Sequence, residues 1–361
     1  MKIPIQNIYY ILCYAWDNLK ERDLVNVRPI DTTDLVDLFA MVLISALNFL
    51  RKRGLDRGYI DYSEDLRLLR GKINLGETLK RNLLTQSKAH CEYDTLSYDV
   101  LHNQILKSTI RNLVKVKELD DDLKDQLYEI NQWLAEIGYV PLTSSTFRNV
   151  RLNRNNSFYR LPLNICELIA ENLLISQDDG DTVFRDLTQD ENVMNRIFEN
   201  FIRNFYKHEQ DNFDVDKKFK RFSWQPEDEN EKYRNFIPSM NTDIVLSNDS
   251  RVIIIDTKYY KGTLAANLYD DKKKIKSPNL YQIFSYLKNI EHFGGPASDC
   301  EGILLYPTVD DELDLPLVFG GHKIRIYTIN LNQHWQGIHK DLINLIDFVP
   351  CTNFGFVHGT I

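Results

Sequence analysis

The stretch that most constrains the fold of this chain is RVIIIDTKYY, residues 251–260. Four consecutive β-branched residues, Val252 to Ile255, make a strand of the buried type. The strand then closes on Asp256-Thr-Lys258. Side chains alternate along a strand, so Asp256 and Lys258 share one face and Thr257 takes the other. An acid and a base closing such a strand are either a solvated terminus or the working edge of a metal-dependent site.

Asp-x-Lys alone carries no signal. The chain holds four others, at Asp122, Asp216, Asp270 and Asp271, all in charge-rich stretches that read as solvated faces. Context separates Asp256. The preceding strand, TDIVL (242–246), reaches it through SNDS, a tight hairpin turn. With Asn248-Asp249 at the turn centre, Asp243 is expected opposite Ile254, diagonal to Asp256 and on its face.

The surrounding pattern is α/β. A helix, DENVMNRIFENFIRNFYKH, carries an apolar stripe from Val193 to Phe205. Strand candidates follow at 217–224, 242–246 and 251–260. The next helix is expected to have Ser277 as N-cap, Pro278 at its first position and Gly294-Gly295 at its exit. Strands at 302–307 and 323–331 complete the order, and the helical crossover makes the first of them parallel to its predecessor.

Two convergent carboxylates repel unless a cation lies between them, and hard oxygen ligands suit Mg²⁺. Such a metal polarises a phosphoryl oxygen and activates water. Lys258 can orient that water and stabilise developing charge; with a lowered pKa it could also accept the proton. This chemistry suits phosphodiester hydrolysis. Glu199, at the edge of its helix stripe, could reach the metal, and reads equally as a boundary glutamate. Gln282 and Tyr286, four apart, share a helix face just downstream. Lys272, Lys273, Lys274 and Lys276 sit in a basic segment that could hold DNA phosphates or be a plain solvated loop. His334 and His339 have no convincing ligand partner and read as structural.

The first half reads differently. Helical spacing starts at Pro4, and a strongly apolar helix over 32–53 ends at Gly54, with so little polar face that burial between other elements is expected. Residues 55–100 are mixed, with strand-like pieces around LRGKINL. Two further helices occupy DVLHNQILKSTIRNLVKV and KELDDDLKDQLYEINQWLAEIG. A domain boundary is expected near 185, dividing 1–184 from 185–361, with 160–180 as a connecting helix. A net charge of −8 argues against unaided DNA binding, which needs a basic footprint. Five widely spaced cysteines without C-x-x-C indicate neither a disulfide framework nor a zinc knuckle. The absence of an apolar span, a signal-peptide pattern or a Walker loop leads to a cytoplasmic protein that binds no nucleotide triphosphate through a P-loop.

TDIVL followed by IIDTK resembles the PD-(D/E)xK nuclease superfamily, and Gln282-Ile-Phe-Ser-Tyr286 is similar to the Q-x-x-x-Y helix of its RecB-like branch. IPIQNIYYILCYAW, LRGKI, CEYDTLSYDVLHNQILK and IFENFIRNFY extend the resemblance over essentially the whole chain to the McrC family, the nuclease subunits of McrBC modification-dependent restriction systems. The superfamily's Pro-Asp reads Thr242-Asp243 here, with Pro238 five residues earlier. The resemblance implies an α+β, mainly helical N-terminal domain that docks on and stimulates an McrB-like AAA+ GTPase ring. It also implies a C-terminal α/β nuclease domain with a mixed sheet flanked by helices. Asp243 and Asp256 would hold Mg²⁺, Lys258 would assist the water, and Glu199 and Gln282 would support them, Glu199 as a further ligand. Tyr286 and the four lysines remain candidate DNA contacts from the reading of the residues alone. The substrate implied is double-stranded DNA containing methylated cytosine, with GTP bound by the partner. A self-sufficient RecB-like nuclease and a non-catalytic adaptor of an AAA+ ring are the competing readings.

Overall fold

The computed structural model describes residues 3–17, 19, 35–175, 182–184, 190–225, 235–260, 265–267, 270–308 and 312–347. The chain forms two compact units: a continuous one, Asp23–Arg185, and a split one, Met1–Arg22 with Asp186–Ile361. The expected boundary falls within one residue of the second division. The first 22 residues depart from expectation, because helix α1 (Ile5–Ala15) belongs with the C-terminal segment. The cause is its apolar and aromatic face. Ile8, Ile11, Leu12 and Tyr14 are buried, and the Tyr14 ring packs against Phe201, Phe205 and Trp335. Asn7 Nδ2 donates to the Leu331 and Gln333 carbonyls at 2.9 and 2.7 Å.

The continuous unit is α+β. Helix α2 (Leu35–Arg53) is buried almost all round, as its sequence demands, and packs against α5 (Asp121–Trp133) and α7 (Arg160–Asn172). Between α2 and α5 run β1 (Gly58–Leu66), β2 (Lys72–Ile73), α3 (Leu75–Lys80), β3 (Ala89–Ser97) and α4 (Leu101–Leu113). The strands form an antiparallel sheet in the order β1-β3-β2. After α5 come α6 (Ser144–Arg148), α7, β4 (Leu173–Ile175) and β5 (Thr182–Phe184). The expected connecting helix over 160–180 is therefore shorter: α7 ends at Asn172, and its packing on α2 and α4 makes it part of this unit's core.

The split unit carries a mixed six-stranded sheet. After α8 (Glu191–Glu209) come β6 (Asp214–Val215), β7 (Arg221–Phe222), β8 (Met240–Asn241), β9 (Ile244–Ser247) and β10 (Val252–Thr257). The strand expected at 217–224 shrinks to β7, paired with β8. Then follow β11 (Ala265–Asn267), β12 (Asp270–Lys274), α9 (Ser277–Ile290), β13 (Glu301–Pro307), β14 (Asp314–Phe319), β15 (His322–Ile329) and α10 (Trp335–Asp347). The sheet order is β14-β15-β13-β10-β9-β6. Strands β10, β13 and β15 run parallel, so α9 is the expected crossover. Ser277 is the first helical residue, not the cap; Lys276 holds the cap position without a side-chain bond.

One face of the sheet packs under α9, where Ile283, Tyr286, Leu287 and Ile290 meet Val245, Ile254, Leu304, Tyr306, Ile324 and Ile326. Helix α8 packs against β9 and β10. The four described cysteines are buried and form no disulfide. Among the described residues no helix is long and apolar enough to cross a membrane.

Candidate functional site

The site is built on the β9–β10 hairpin. Asn248 Oδ1 accepts the backbone N–H groups of Ser250 and Arg251, and the Asn248 N–H donates to the Arg251 carbonyl at 3.0 Å. The register is Val252 with Ser247, Ile254 with Val245 and Ile255 with Ile244. Continued by one pair, it sets Asp243 directly opposite Asp256, not opposite Ile254. The true turn centre lies one residue later than the sequence suggested. That slip moves every partner by two residues, and because strand faces alternate with period two, Asp243 and Asp256 still share a face.

Asp256 is fully buried, and its Oδ2 lies 2.8 Å from Lys258 Nζ. Apart from that contact with the ammonium, neither of its oxygens has a partner among the described residues. Burial and the neighbouring Asp243 push its pKa up to about 7, against the pull of Lys258; Glu199 adds to the rise. Asp243 Oδ2 accepts from the Thr257 N–H at 3.0 Å and the Thr257 hydroxyl at 3.3 Å, and stands 3.9 Å from Lys258 Nζ. For Lys258, burial disfavours the charge, but Asp256 and Asp243 outweigh it and raise the pKa. Lys258 is thus held as an ammonium, and the lowered pKa that would let it accept a proton is not found.

Gln282 Nε2 donates to the Tyr286 hydroxyl at 2.9 Å, and that hydroxyl donates to the Asn241 carbonyl at 2.6 Å. This chain ties α9 to the backbone two residues before Asp243. Tyr286 is buried, with its polar atom so engaged, which leaves little of it to meet DNA. Glu199 pairs with Arg203 instead of turning to the two aspartates. Lys276 lies over the Tyr260 ring, 3.3 Å from its centroid. The side chains of Lys272, Lys273 and Lys274 lie outside the described residues. His339 pairs with Glu209 at 3.0 Å, in keeping with a structural role.

The fit to a divalent cation rests on the Asp243–Asp256 pair. Two facing carboxylates share the single Lys258 ammonium, which leaves negative charge and open lone pairs that a hard cation can take up. Among the described residues no three acidic, histidine or cysteine side chains gather as a ligand set, and the fit rests on the two aspartates, with Glu199 paired to Arg203. A metal that retains several of its waters, as Mg²⁺ does, needs no more.

Sequence reasoning missed Asn195, Arg203, Asp216 and Lys220, which engage the backbone around this pair. The only signal was the spacing of Asn195, Glu199 and Arg203 at four-residue intervals beside the apolar stripe of α8.

The profile of the family described as "McrBC 5-methylcytosine restriction system component" matches residues 7–307. The chain is 29% identical over 345 residues to the Type IV methyl-directed restriction enzyme EcoKMcrBC of Escherichia coli (strain K12), covering 96% of this chain and 97% of that protein. Its fold is similar to a chain in an assembly of Thermococcus gammatolerans McrB AAA+ hexamers with bound McrC. There the TM-score is 0.52 at 18% identity, over 95% of this chain and 76% of the other. A chain of the Thermococcus gammatolerans McrBC complex matches over 57% of this chain and 58% of its own length, with a TM-score of 0.42 and 21% identity. With the family profile spanning most of its length, the chain belongs to the family of McrBC restriction system components.

Proposed function

We propose that this chain is the DNA-cleaving subunit of a GTP-dependent restriction system acting on DNA with methylated cytosine, and that it also stimulates a partner AAA+ GTPase. The observation that carries the reading is the Asp256 carboxylate, fully buried between Asp243 and Lys258 with the Lys258 ammonium as its one close partner among the described residues. A structural ion pair needs neither the second carboxylate nor the unfilled lone pairs.

Asp243 and Asp256 would hold Mg²⁺. When bound, the metal supplies a Lewis acid that polarises the phosphoryl oxygen and activates water. Lys258, already charged, offers its ammonium to the negative charge that builds on the phosphate in the transition state. Thr257 keeps the Asp243 carboxylate aimed, through two hydrogen bonds to one oxygen. Tyr286 and Gln282 hold the strand that carries Asp243.

The partner reading rests on the family and on a surface. In the continuous unit Leu68, Leu69, Leu75, Leu79 and Leu84 are all exposed, within one short stretch of chain. Concentrated exposed apolar side chains fit a protein partner better than solvent. The Thermococcus gammatolerans assembly contains McrC on McrB AAA+ hexamers, and an McrB-like ring is the partner proposed here, in the cytoplasm and with GTP bound by the ring.

The test is cleavage of a cytosine-methylated plasmid with Mg²⁺, by wild type and Lys258→Ala, with and without the AAA+ partner and GTP. Cutting by wild type alone of the two, and only with partner and GTP, is the expected result. Cutting without the partner makes the chain a self-sufficient nuclease. GTP hydrolysis stimulated without any cutting makes it an adaptor.

A further inference from the structure

Helix α8 meets the site with a polar stripe, Asn195, Glu199 and Arg203, one turn apart along one face. Its two ends grip backbone. Asn195 Oδ1 accepts the Tyr259 N–H at 2.6 Å, and its Nδ2 donates to the Tyr259 carbonyl at 3.1 Å. Both backbone groups of the residue after Lys258 are thereby fixed by one side chain. At the other end Arg203 Nη2 donates to the Asp243 carbonyl at 2.8 Å and pairs with Glu199. Arg203 Nε donates to Asp216 Oδ2 at 2.9 Å, and Asp216 in turn accepts the Val245 N–H at 2.8 Å. Lys220 adds a second cation, donating to the Thr242 carbonyl at 2.7 Å and to the Asp243 carbonyl.

We infer that Asn195 and Arg203 are positioning residues, two clamps on α8 that set the separation of Asp243 from Lys258 across the β9–β10 hairpin. This rests on the nuclease reading above. The clamps stand about 12 Å apart along the helix axis, at 1.5 Å per residue. One holds the chain just past Lys258; the other holds Asp243 itself. Sheet hydrogen bonding could not do this alone, because the β9–β10 ladder ends at Ile255–Ile244, one pair short of the two aspartates. Asp256 and Thr257 stay paired with β13, and the Lys258 N–H donates to the Leu305 carbonyl at 3.0 Å, but the position of Asp243 relative to them depends on side chains. Arg203 has a fork that reaches Asp216, Glu199 and the Asp243 carbonyl together, which lysine, with one nitrogen, cannot reproduce.

A role confined to stability predicts losses in every property together. Positioning predicts a narrower loss, because groups that orient metal-holding or reacting residues act on affinity and turnover. The experiment compares wild type, Asn195→Ala and Arg203→Lys, each as the full chain. Mn²⁺ binding is measured by electron paramagnetic resonance without DNA. Cleavage of methylated plasmid and GTPase stimulation are measured with the partner.

The expected result for both variants is a fall of about ten- to a hundredfold in kcat or in Mn²⁺ affinity. KM for DNA, GTPase stimulation and the far-ultraviolet dichroism stay at wild-type values. Variants that match wild type in both kcat and Mn²⁺ affinity overturn the positioning role while the nuclease reading stands. Variants in which GTPase stimulation and dichroism fall along with kcat overturn it in favour of a general structural role. A wild type that neither binds Mn²⁺ nor cleaves removes both readings. A wild type that binds Mn²⁺ more tightly than the two variants but does not cleave keeps the clamps and removes the nuclease.

Discussion

Asp243 lies across the β9–β10 hairpin from Asp256, and its Oδ2 accepts the Thr257 N–H at 3.0 Å, so one carboxylate is anchored by backbone while the other is not. Asp256 is also the more deeply buried of the two, and that burial, with the charge of Asp243, raises its pKa, while the anchored Asp243 keeps a side chain that is 20% exposed.

The first prediction concerns pH. A folded-state pKa of about 7 for Asp256, against an ordinary 3.8, means that the folded protein binds a proton the unfolded chain has released. This contribution to stability is fully present below the unfolded value and is lost as pH rises through 7. In EDTA, the melting temperature of wild type should therefore fall between about pH 4 and pH 8 by several degrees more than that of Asp256→Asn. Mg²⁺ should restore wild type at pH 8 and leave Asp256→Asn unchanged. Identical melting profiles for the two proteins, with and without Mg²⁺, would contradict the assignment of Asp256.

Gln282 is linked to the strand before Asp243 through the Tyr286 hydroxyl. Tyr286→Phe leaves the Asn241 carbonyl and the Gln282 amide without their partner, at a cost of about 1 kcal/mol. Gln282→Ala should cost less. The double variant should fall well short of the sum of the two, in stability and in cleavage rate, because both changes break the same chain of hydrogen bonds. Strict additivity in urea unfolding would mean that the two side chains work independently.

The exposed leucines supply a third test. Leu75 and Leu79 are four apart on α3, and neither contributes to a core. Leu75→Asp with Leu79→Asp should change stability by no more than about 0.5 kcal/mol for each substitution, as at other exposed sites. Co-elution with the AAA+ partner and stimulation of its GTPase should be lost. Retention of both would move the docking surface elsewhere.

The legible parts of the molecule were those with one dominant pattern. The run Val252–Ile255 announced a central strand because its residues are buried on both faces. The apolar helix over 32–53 announced a buried α2. The relation of Asp243 to Asp256 survived an error in register, since a shift of two residues preserves the face. Strand β14 escaped because it is an edge strand exposed on nearly all positions, with Pro316 inside it, so it shows no alternation. Helix α1 reads correctly as a helix, but nothing in its own periodicity says that its partners lie near Phe201 and Trp335. Asn195 and Arg203 were hidden for a related reason: they bond to backbone, and backbone partners leave no signature in side-chain chemistry.

The last prediction links packing to the site. Gly302 lies in β13 directly beneath α9, where an added Cβ would meet Ile283 Cγ1 at 2.9 Å and Leu287 Cδ1 at 3.0 Å. Those two side chains are themselves fully buried, so neither has free space into which to retreat. Gly302→Val must push α9 outward, at a cost of about 1–3 kcal/mol in overpacking. The displacement would not stop at the core. Tyr286, one residue before Leu287, holds the Asn241 carbonyl, and a shift of α9 stretches that bond and loosens the approach to Asp243. Cleavage by Gly302→Val should therefore fall by more than its loss of folded protein accounts for. GTPase stimulation should persist, because the exposed leucines lie in the other unit. A variant destabilised in urea yet cleaving at full rate per folded molecule would show that the position of α9 does not govern the site.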